Sequence, residues 1–472
     1  MFEPTLDSIK THPIPNWFHD AKLGIFVHWG LYSVPAWAPL TGELGKVISQ
    51  EGGWINWFSN NPYAEWYQNS LAIGQGATYE HHVQTYGADV RYEDFAPMFN
   101  DAVQHFDAGK LADAFKRAGA QYAVLTTKHH EGFLLWPSTQ PNPIKQNWQL
   151  TRDVVGELSE AVRARDMRMG LYYSGGLDWT FNTHVIKDIS DLFVGVPQTP
   201  EYEAYATAHF RELIARYQPS VMWNDIGYPA LANLPSLFAD YYNAVPEGVI
   251  NDRFIQAGNV DPQEMLAKLA QGELGLPSAA HYDFKTPEYT VVPNVTPHKW
   301  ESCRGIGFSF GINQNDTDAN MLSVQELVHS FVDIVSKNGN LLLNVGPRAD
   351  GSLPENQYKR LVGLGDWLAV NGEAIYGTRP HTHAEGKAMA GEQAIPMRFT
   401  RKGNALYVTL LGTPQTREVM LESVHAASDA TVHLLGYAAP LSWEQRGEHL
   451  AVTLPAQVEA SVAHCIRVSH VA

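Results

Sequence analysis

Eight short apolar runs, separated by segments with helical periodicity, constrain this chain more than any other feature. The runs are Leu23–His28, Ala123–Thr127, Met169–Ser174, Ser220–Asn224, Val249–Asp252, His281–Phe284, Ile306–Phe310 and Asn340–Val345. Their near-continuous apolar character suits strands buried on both faces. The segments between them are amphipathic. Segment 110–118 sets Leu111, Ala114, Phe115 and Ala118 on one stripe before Gly119, and 152–165 does the same with Val154, Val155, Leu158 and Val162. Segment 200–217 aligns Ala206, Phe210, Leu213, Ile214 and Tyr217, then meets Pro219. Segment 323–337 opens on a capping box, Ser323 with Glu326, and closes at Asn338-Gly339; Leu361, Leu364, Trp367 and Leu368 mark a last helix. Strands alternating with helices in this number predict an irregular (β/α)8, TIM-like barrel over residues 1–378. The irregularity is twofold: about ninety residues separate the first two runs, and 285–305 joins the sixth and seventh without a helix.

Around Thr378–Pro396 the chain turns to Gly, Ala, His and Pro without periodicity, which reads as a linker. Beyond it Arg398–Thr400, Leu406–Leu411, Glu418–Leu421, Thr431–Leu435, His449–Leu454 and Ile466–Ser469 are short and alternating. They predict a small C-terminal antiparallel β-sandwich, residues 379–472.

Several function classes drop out on composition. A net charge of -17 repels phosphate backbones and no Lys/Arg-rich run offsets it, so no nucleic-acid partner is expected. No apolar run approaches membrane length, and the first residues carry no charged segment followed by an apolar one. Cys303 and Cys465 are the only cysteines, too few for a disulfide framework. Together these point to a cytoplasmic protein that binds no membrane.

In a barrel, chemistry gathers at the C-terminal ends of the strands. The runs lead into His28-Trp29-Gly30, Lys128-His129-His130-Glu131, Tyr172-Tyr173-Ser174 and then Asp178-Trp179, Trp223-Asn224-Asp225, Asn251-Asp252-Arg253 and His281-Tyr282-Asp283, with Glu288 shortly after and Phe310 closing the seventh. The long first loop adds Trp54, Trp57, Tyr63, Glu65 and Trp66. This set is rich in His, carboxylates and aromatic rings. It lacks the basic cluster or glycine-rich turn that phosphate needs. A sugar fits better, since its hydroxyls pair with His and carboxylates while its C–H face lies on an aromatic ring. Cleaving a glycosidic bond then takes two carboxyl groups, which Asp225 and one of Glu65, Asp252 or Glu288 can supply. Blander readings compete: Asp225 as a turn cap, the His129-His130 pair and the loop tryptophans as packing, and Cys303 as a small buried hydrophobe. A zinc set of His28, His129, His130, His281 and Asp225 lacks any local ligand spacing, so neither metal nor cofactor is expected.

Taken together, several stretches resemble α-L-fucosidases of glycoside hydrolase family 29. They are Trp17-Phe18 with Lys22–Gly30, Asn61–Tyr67, Thr127–Phe133, Tyr172–Gly176, Trp223-Asn224-Asp225, Asn251-Asp252-Arg253, Lys299–Cys303 and Leu342–Pro347. The resemblance runs from about residue 14 to 378, in order. It implies a retaining exo-hydrolase for terminal α-L-fucose, acting through a covalent glycosyl-enzyme, with Asp225 as nucleophile and Glu288 as general acid/base. By the same resemblance the sugar is bound by His28, Glu65, Trp66, His129, His130, Tyr172 and Arg253, lined by Trp223 and Phe310, with Phe26 near its methyl group. The expected partner is a fucosylated oligosaccharide or glycoconjugate, with a homo-oligomer as an option. A fucose-binding barrel without catalysis and a metal-dependent barrel hydrolase are the rival readings. Gln256–Ala280, with a helix expected at Pro262–Gln271, and Leu40–Trp57 depart from the compact bacterial pattern and are expected to shape the leaving-group side or a subunit contact.

Overall fold

The structure is a computed structural model that describes residues 1–256 and 279–471. Seven parallel strands form one curled sheet: β1 Leu23–Val27, β2 Tyr122–Lys128, β3 Arg168–Tyr173, β4 Val221–Asn224, β5 Val249–Ile250, β6 Trp300–Gly305 and β7 Gly339–Val345, in the order β5-β4-β3-β2-β1-β7-β6. The open edges belong to β5 and β6, and the segment 283–289 spans them. On one side Asp283 N donates to Ile250 O at 2.9 Å; on the other Lys285 N donates to Lys299 O at 3.1 Å, Cys303 N to Pro287 O at 3.2 Å and Tyr289 N to Cys303 O at 3.1 Å. This irregular eighth stave closes the barrel.

Period-two alternation sorts the strand residues. Leu23, Ile25 and Val27 of β1, Met169 and Leu171 of β3, Met222 of β4 and Leu341 and Leu343 of β7 pack outward with the helices. Phe26, Tyr172, Trp223, Cys303 and Leu342 point into the barrel with Phe284. The same parity carries the chain beyond Phe26 to His28 and beyond Trp223 to Asp225, so both reach the mouth from the inner face. The outer helices include Ala108–Arg117, Val154–Arg163, Pro200–Tyr217, Val324–Ser336 and Glu355–Asn371. The Ser323/Glu326 capping box is formed in both directions. After β1 the long loop folds on itself through short helices such as Gly53–Ser59 and Ala64–Trp66, and buries Trp57, Phe58, Tyr63 and Trp66 beside the barrel interior.

Two elements differ from those the sequence predicts. The seventh expected run, Ile306–Phe310, lies in a loop, and the strand in that place is β6, Trp300–Gly305, immediately before it. Glu301 on the inner face and Ser302 and Arg304 on the outer one interrupt the apolar character of that strand, so it carries no apolar run. The stretch expected to be a linker is instead β8 Arg379–Ala390 and the start of β9 Gln393–Lys402, joined across Gly391-Glu392. Gly391 has φ +64, as the first position of a tight hairpin turn requires. The helix expected at Pro262–Gln271 lies outside the described residues.

The C-terminal domain continues with β10 Ala405–Leu410, β11 Glu418–Leu421, β12 Val432–Leu434, β13 Ser442–Arg446, β14 His449–Thr453 and β15 His464–Val468. All eight strands form one antiparallel sheet, order β12-β15-β10-β9-β8-β11-β14-β13. The sheet wraps around a core of Ile395, Phe399, Leu406, Val419, Val432, Leu450 and Ile466. Leu441 N donates to Val432 O at 2.7 Å, bringing the two end strands together, so the sandwich is a nearly closed barrel. It docks on the outer helices: Trp367 Nε1 donates to Ala463 O at 3.0 Å, and Lys337 pairs with Glu385 at 2.8 Å.

Candidate active site

Asp225 follows β4, and both of its oxygens are held. Tyr172, from β3, donates its hydroxyl to Oδ2 at 2.8 Å. Oδ1 accepts from Arg253 Nη1 at 2.8 Å and from Ile226 N at 3.0 Å. The other terminal nitrogen of Arg253 donates to Glu288 Oε2 at 3.2 Å. The guanidinium lies 4.6 Å over the Trp223 ring, and its Nε donates to Thr286 Oγ1 at 3.0 Å. One planar fork therefore joins two carboxylates from different staves. The Asp225 and Glu288 charges hold the Arg253 pKa well above its ordinary value against the opposing effect of burial.

His28 and His130 show their tautomers through their partners. Asn344 gives its amide hydrogen to Phe310 O, so its Oδ1 faces His28 Nδ1 at 2.6 Å and accepts from it. Ser174 gives its hydroxyl hydrogen to Leu177 O at 2.8 Å, so its oxygen accepts from His130 Nδ1 at 2.7 Å. In each ring Nε2 is left as an acceptor. Burial, reinforced by His129 nearby, keeps both imidazoles well below the usual range and hence neutral. The rings of His129 and His130 are 3.9 Å apart, with His129 stacked on Tyr172. Glu65 Oε2 accepts from Gly311 N at 2.7 Å; burial pushes the pKa of this carboxyl up to about 7, opposed by His129. Trp66 stands edge-on to His130 at 5.1 Å. Phe26 is 5.0 Å from Trp223 and 4.5 Å from His28, and Phe310 is 4.9 Å from His28. The twelve residues singled out from the sequence thus form one connected cluster at the mouth.

Other candidates fall elsewhere. Asp252 faces Thr286, accepting from its N and Oγ1 at 3.1 and 2.7 Å, and so props the eighth stave. His281 pairs with Tyr242 at 2.8 Å beside Asp283, where the eighth stave begins, and is at the opposite end from the mouth. The five-residue zinc set therefore does not converge.

Three supports have positions quoted from the sequence but no role assigned there. Lys128 and Asp178 form a fully buried ion pair at 2.8 Å beneath the His129-His130 turn. The turn passes so close to it that a Cβ on Gly132, φ +78, would lie 2.6 Å from Asp178 Oδ1. Tyr63 donates to Glu288 Oε1 at 2.6 Å; its sequence signals were membership of the aromatic first loop and of the family-like stretch Asn61–Tyr67, neither of which gives it this partner. Glu301, in the strand the sequence hid, accepts from Trp223 Nε1 at 3.1 Å and from the Tyr122 hydroxyl.

Burial pushes the Glu301 pKa from 4.5 up to about 7. Because the folded value lies above the unfolded one, the unfolded chain loses this proton first, and stability falls as pH rises between about 5 and 7. Glu301→Gln keeps an acceptor for Trp223 and removes the titration. Its Tm is expected to decline less over that window than that of the parent chain; parallel declines would assign the effect to Glu65.

Residues 1–373 match the α-L-fucosidase family, and residues 393–469 match the α-L-fucosidase C-terminal domain. Tissue α-L-fucosidase of Mus musculus is 32% identical over 468 residues, covering 96% of this chain and 90% of that one. Plasma α-L-fucosidase of Rattus norvegicus is 32% identical over 474 residues, covering 96% and 90%. The crystal structure of Thermotoga maritima α-fucosidase in complex with fucose superposes with a TM-score of 0.83 at 41% identity, covering 99% and 100%. A relative named for plasma, a fluid outside cells, overturns the cytoplasmic expectation. That expectation leaned on the composition of the first residues and on cysteine usage, and two cysteines that are both free and buried carry no mark of their redox compartment. From the family match over both domains and the relatives spanning nearly the whole length, the chain belongs to the α-L-fucosidases, glycoside hydrolases that cleave α-L-fucose from fucosylated glycans.

Proposed function

We propose that the chain removes terminal α-L-fucose with retention of configuration, Asp225 attacking the anomeric carbon and Glu288 serving as general acid and then base. The shared Arg253 fork carries this reading: Asp225 and Glu288 sit on the two terminal nitrogens of one guanidinium, at 2.8 and 3.2 Å. Retaining enzymes hold their carboxyl groups about 5–5.5 Å apart and inverting ones about 6.5–9.5 Å, and a single guanidinium favours the shorter spacing. In the first step Asp225 forms an ester bond to the anomeric carbon while Glu288 gives its proton to the departing oxygen. In the second, Glu288 takes a proton from the water that opens the ester.

The remaining residues suit the sugar. Nε2 of His28 and of His130 accept from hydroxyls, as does Glu65, whose pKa of about 7 also lets it donate in weak acid. Phe26, Phe310 and Trp223 supply an apolar wall for the methyl group and C–H face, and Trp66 a second. The fucose bound by the Thermotoga maritima relative supports the same sugar here.

Proton NMR of an early time course tests the stereochemistry. α-L-Fucose is expected to appear first and to mutarotate afterwards; the β-anomer first would overturn retention. In a panel of aryl glycosides, α-L-fucoside is expected to be cleaved in preference to β-D-galactoside and α-D-mannoside. Chelator is expected to leave the rate unchanged, and a loss with chelator would favour a metal-dependent route.

A further inference from the structure

Glu288 is gripped by a side chain that the reading above leaves without a role. Tyr63 donates its hydroxyl to Oε1 at 2.6 Å, while Arg253 Nη2 reaches Oε2 at 3.2 Å. Tyr63 cannot swing aside. Its ring is met edge-on by Trp57 at 4.9 Å and by Phe310 at 5.4 Å, and its backbone N–H is tied to Asn61 Oδ1 at 2.9 Å. The backbone on the other side is equally fixed. Tyr289 holds φ +50, a strained value for an aromatic residue, with its N–H on Cys303 O at 3.1 Å and the Arg304 guanidinium over its ring at 5.2 Å. The long first loop thus supplies Glu65 and Trp66 and, two residues earlier, a fixed donor to Glu288.

We infer that Tyr63 is a positioning residue for the general acid, determining which oxygen of Glu288 carries the catalytic proton. The inference rests on the reading of Glu288 as acid/base. Burial and the Glu288 charge hold the Tyr63 pKa well above the usual range, so its hydroxyl stays a donor throughout the working range of pH. Both carboxyl oxygens meet a donor, but the fixed Tyr63 hydroxyl at 2.6 Å is closer than Arg253 at 3.2 Å, so Oε1 is the poorer seat for the carboxyl's own proton, which sits on Oε2. From there the proton passes to the glycosidic oxygen as the electron pair of the breaking C–O bond moves onto it and Asp225 takes the anomeric carbon. Without Tyr63 the terminal torsion of Glu288 is loose, both oxygens can turn to Arg253, and a two-pronged ion pair keeps the carboxyl charged and turned from the leaving group.

Tyr63→Phe removes only the hydroxyl. Its effect should depend on how much help the leaving group needs, and kcat/KM reports the first step alone. With a fucosyl disaccharide, whose alkoxide must be protonated, kcat/KM is expected to fall about 10²-fold, the scale of a misplaced reacting group. With 2-chloro-4-nitrophenyl α-L-fucoside, whose phenolate leaves unaided, it should stay within a few-fold, which also shows the fold intact. Glu288→Gln measured alongside is expected to give the same split, larger. Equal losses on both substrates in Tyr63→Phe, or none on either, overturn the role of Tyr63 while the split in Glu288→Gln stands. Absence of the split in Glu288→Gln overturns the acid/base reading beneath it.

Discussion

Asp225→Gly is expected to lower turnover of an aryl α-L-fucoside by at least about 10⁴-fold, as loss of a nucleophile does in enzymes whose catalytic groups act as a unit. The fold should survive, because Arg253 keeps Glu288, Thr286 and the Trp223 face as partners when Asp225 is gone. The Tyr172 hydroxyl loses its acceptor, but removing the Asp225 side chain, itself 11% exposed, leaves room for a water in its place, so the Tm is expected to move little. The vacated space has a cation on one side and a hydroxyl donor on the other, which suits a small anion. Azide is therefore expected to restore release of the phenol and to yield β-L-fucosyl azide, because it attacks from the face Asp225 occupied. An α-configured azide, or a variant that keeps appreciable unaided activity, would remove Asp225 from the nucleophile's role.

Arg253→Met is expected to cost about 10²–10³-fold in kcat/KM, the equivalent of roughly 3–4 kcal/mol, for taking one partner from a buried charge network. Two carboxylates would then face each other across the mouth with no cation between them. Unlike Tyr63→Phe, this variant should lose activity on activated and unactivated fucosides alike, since it disturbs Asp225 as well as Glu288. Arg253→Lys is expected to recover little. An ammonium is a point charge, whereas the site uses three separate nitrogens of the guanidinium, on Asp225, Glu288 and Thr286. Near-normal kcat/KM in the Lys variant would show that charge alone suffices and that the fork geometry has no part in holding the pair.

Much of this site was legible because a barrel strand obeys a period of two. Once Phe26 and Trp223 are inward, His28 and Asp225 follow by parity, and the polar residues ending each apolar run converge wherever the ring closes. The failures have a physical cause too. Glu301 lies in β6, where Trp223 and Tyr122 satisfy its carboxylate, so that strand never looked apolar. Arg379–Ala390 looked like a linker because Gly, Ala and His have weak strand preference, yet pairing with β9 on one side and β11 on the other makes it a strand. Lys128 and Asp178 are fifty positions apart, and nothing in their neighbours' identity announces that they meet.

By itself the sequence determined the barrel, the second β domain and the kind of group at its mouth, since these depend on local periodicity and on what stands at strand ends. Strand-end reasoning left Glu65, Asp252 and Glu288 open as partners of Asp225 and the family resemblance pointed to Glu288; the tertiary structure shows which carboxylates are neighbours. Asp252 is adjacent to Arg253 in sequence but turns to Thr286, while Glu288, thirty-five positions from Arg253, lies on the same guanidinium as Asp225. The irregular eighth stave brings it there through backbone hydrogen bonds to β5 and β6, contacts between segments that carry no signal of one another along the chain. Long-range pairing of this kind is set when the ring closes.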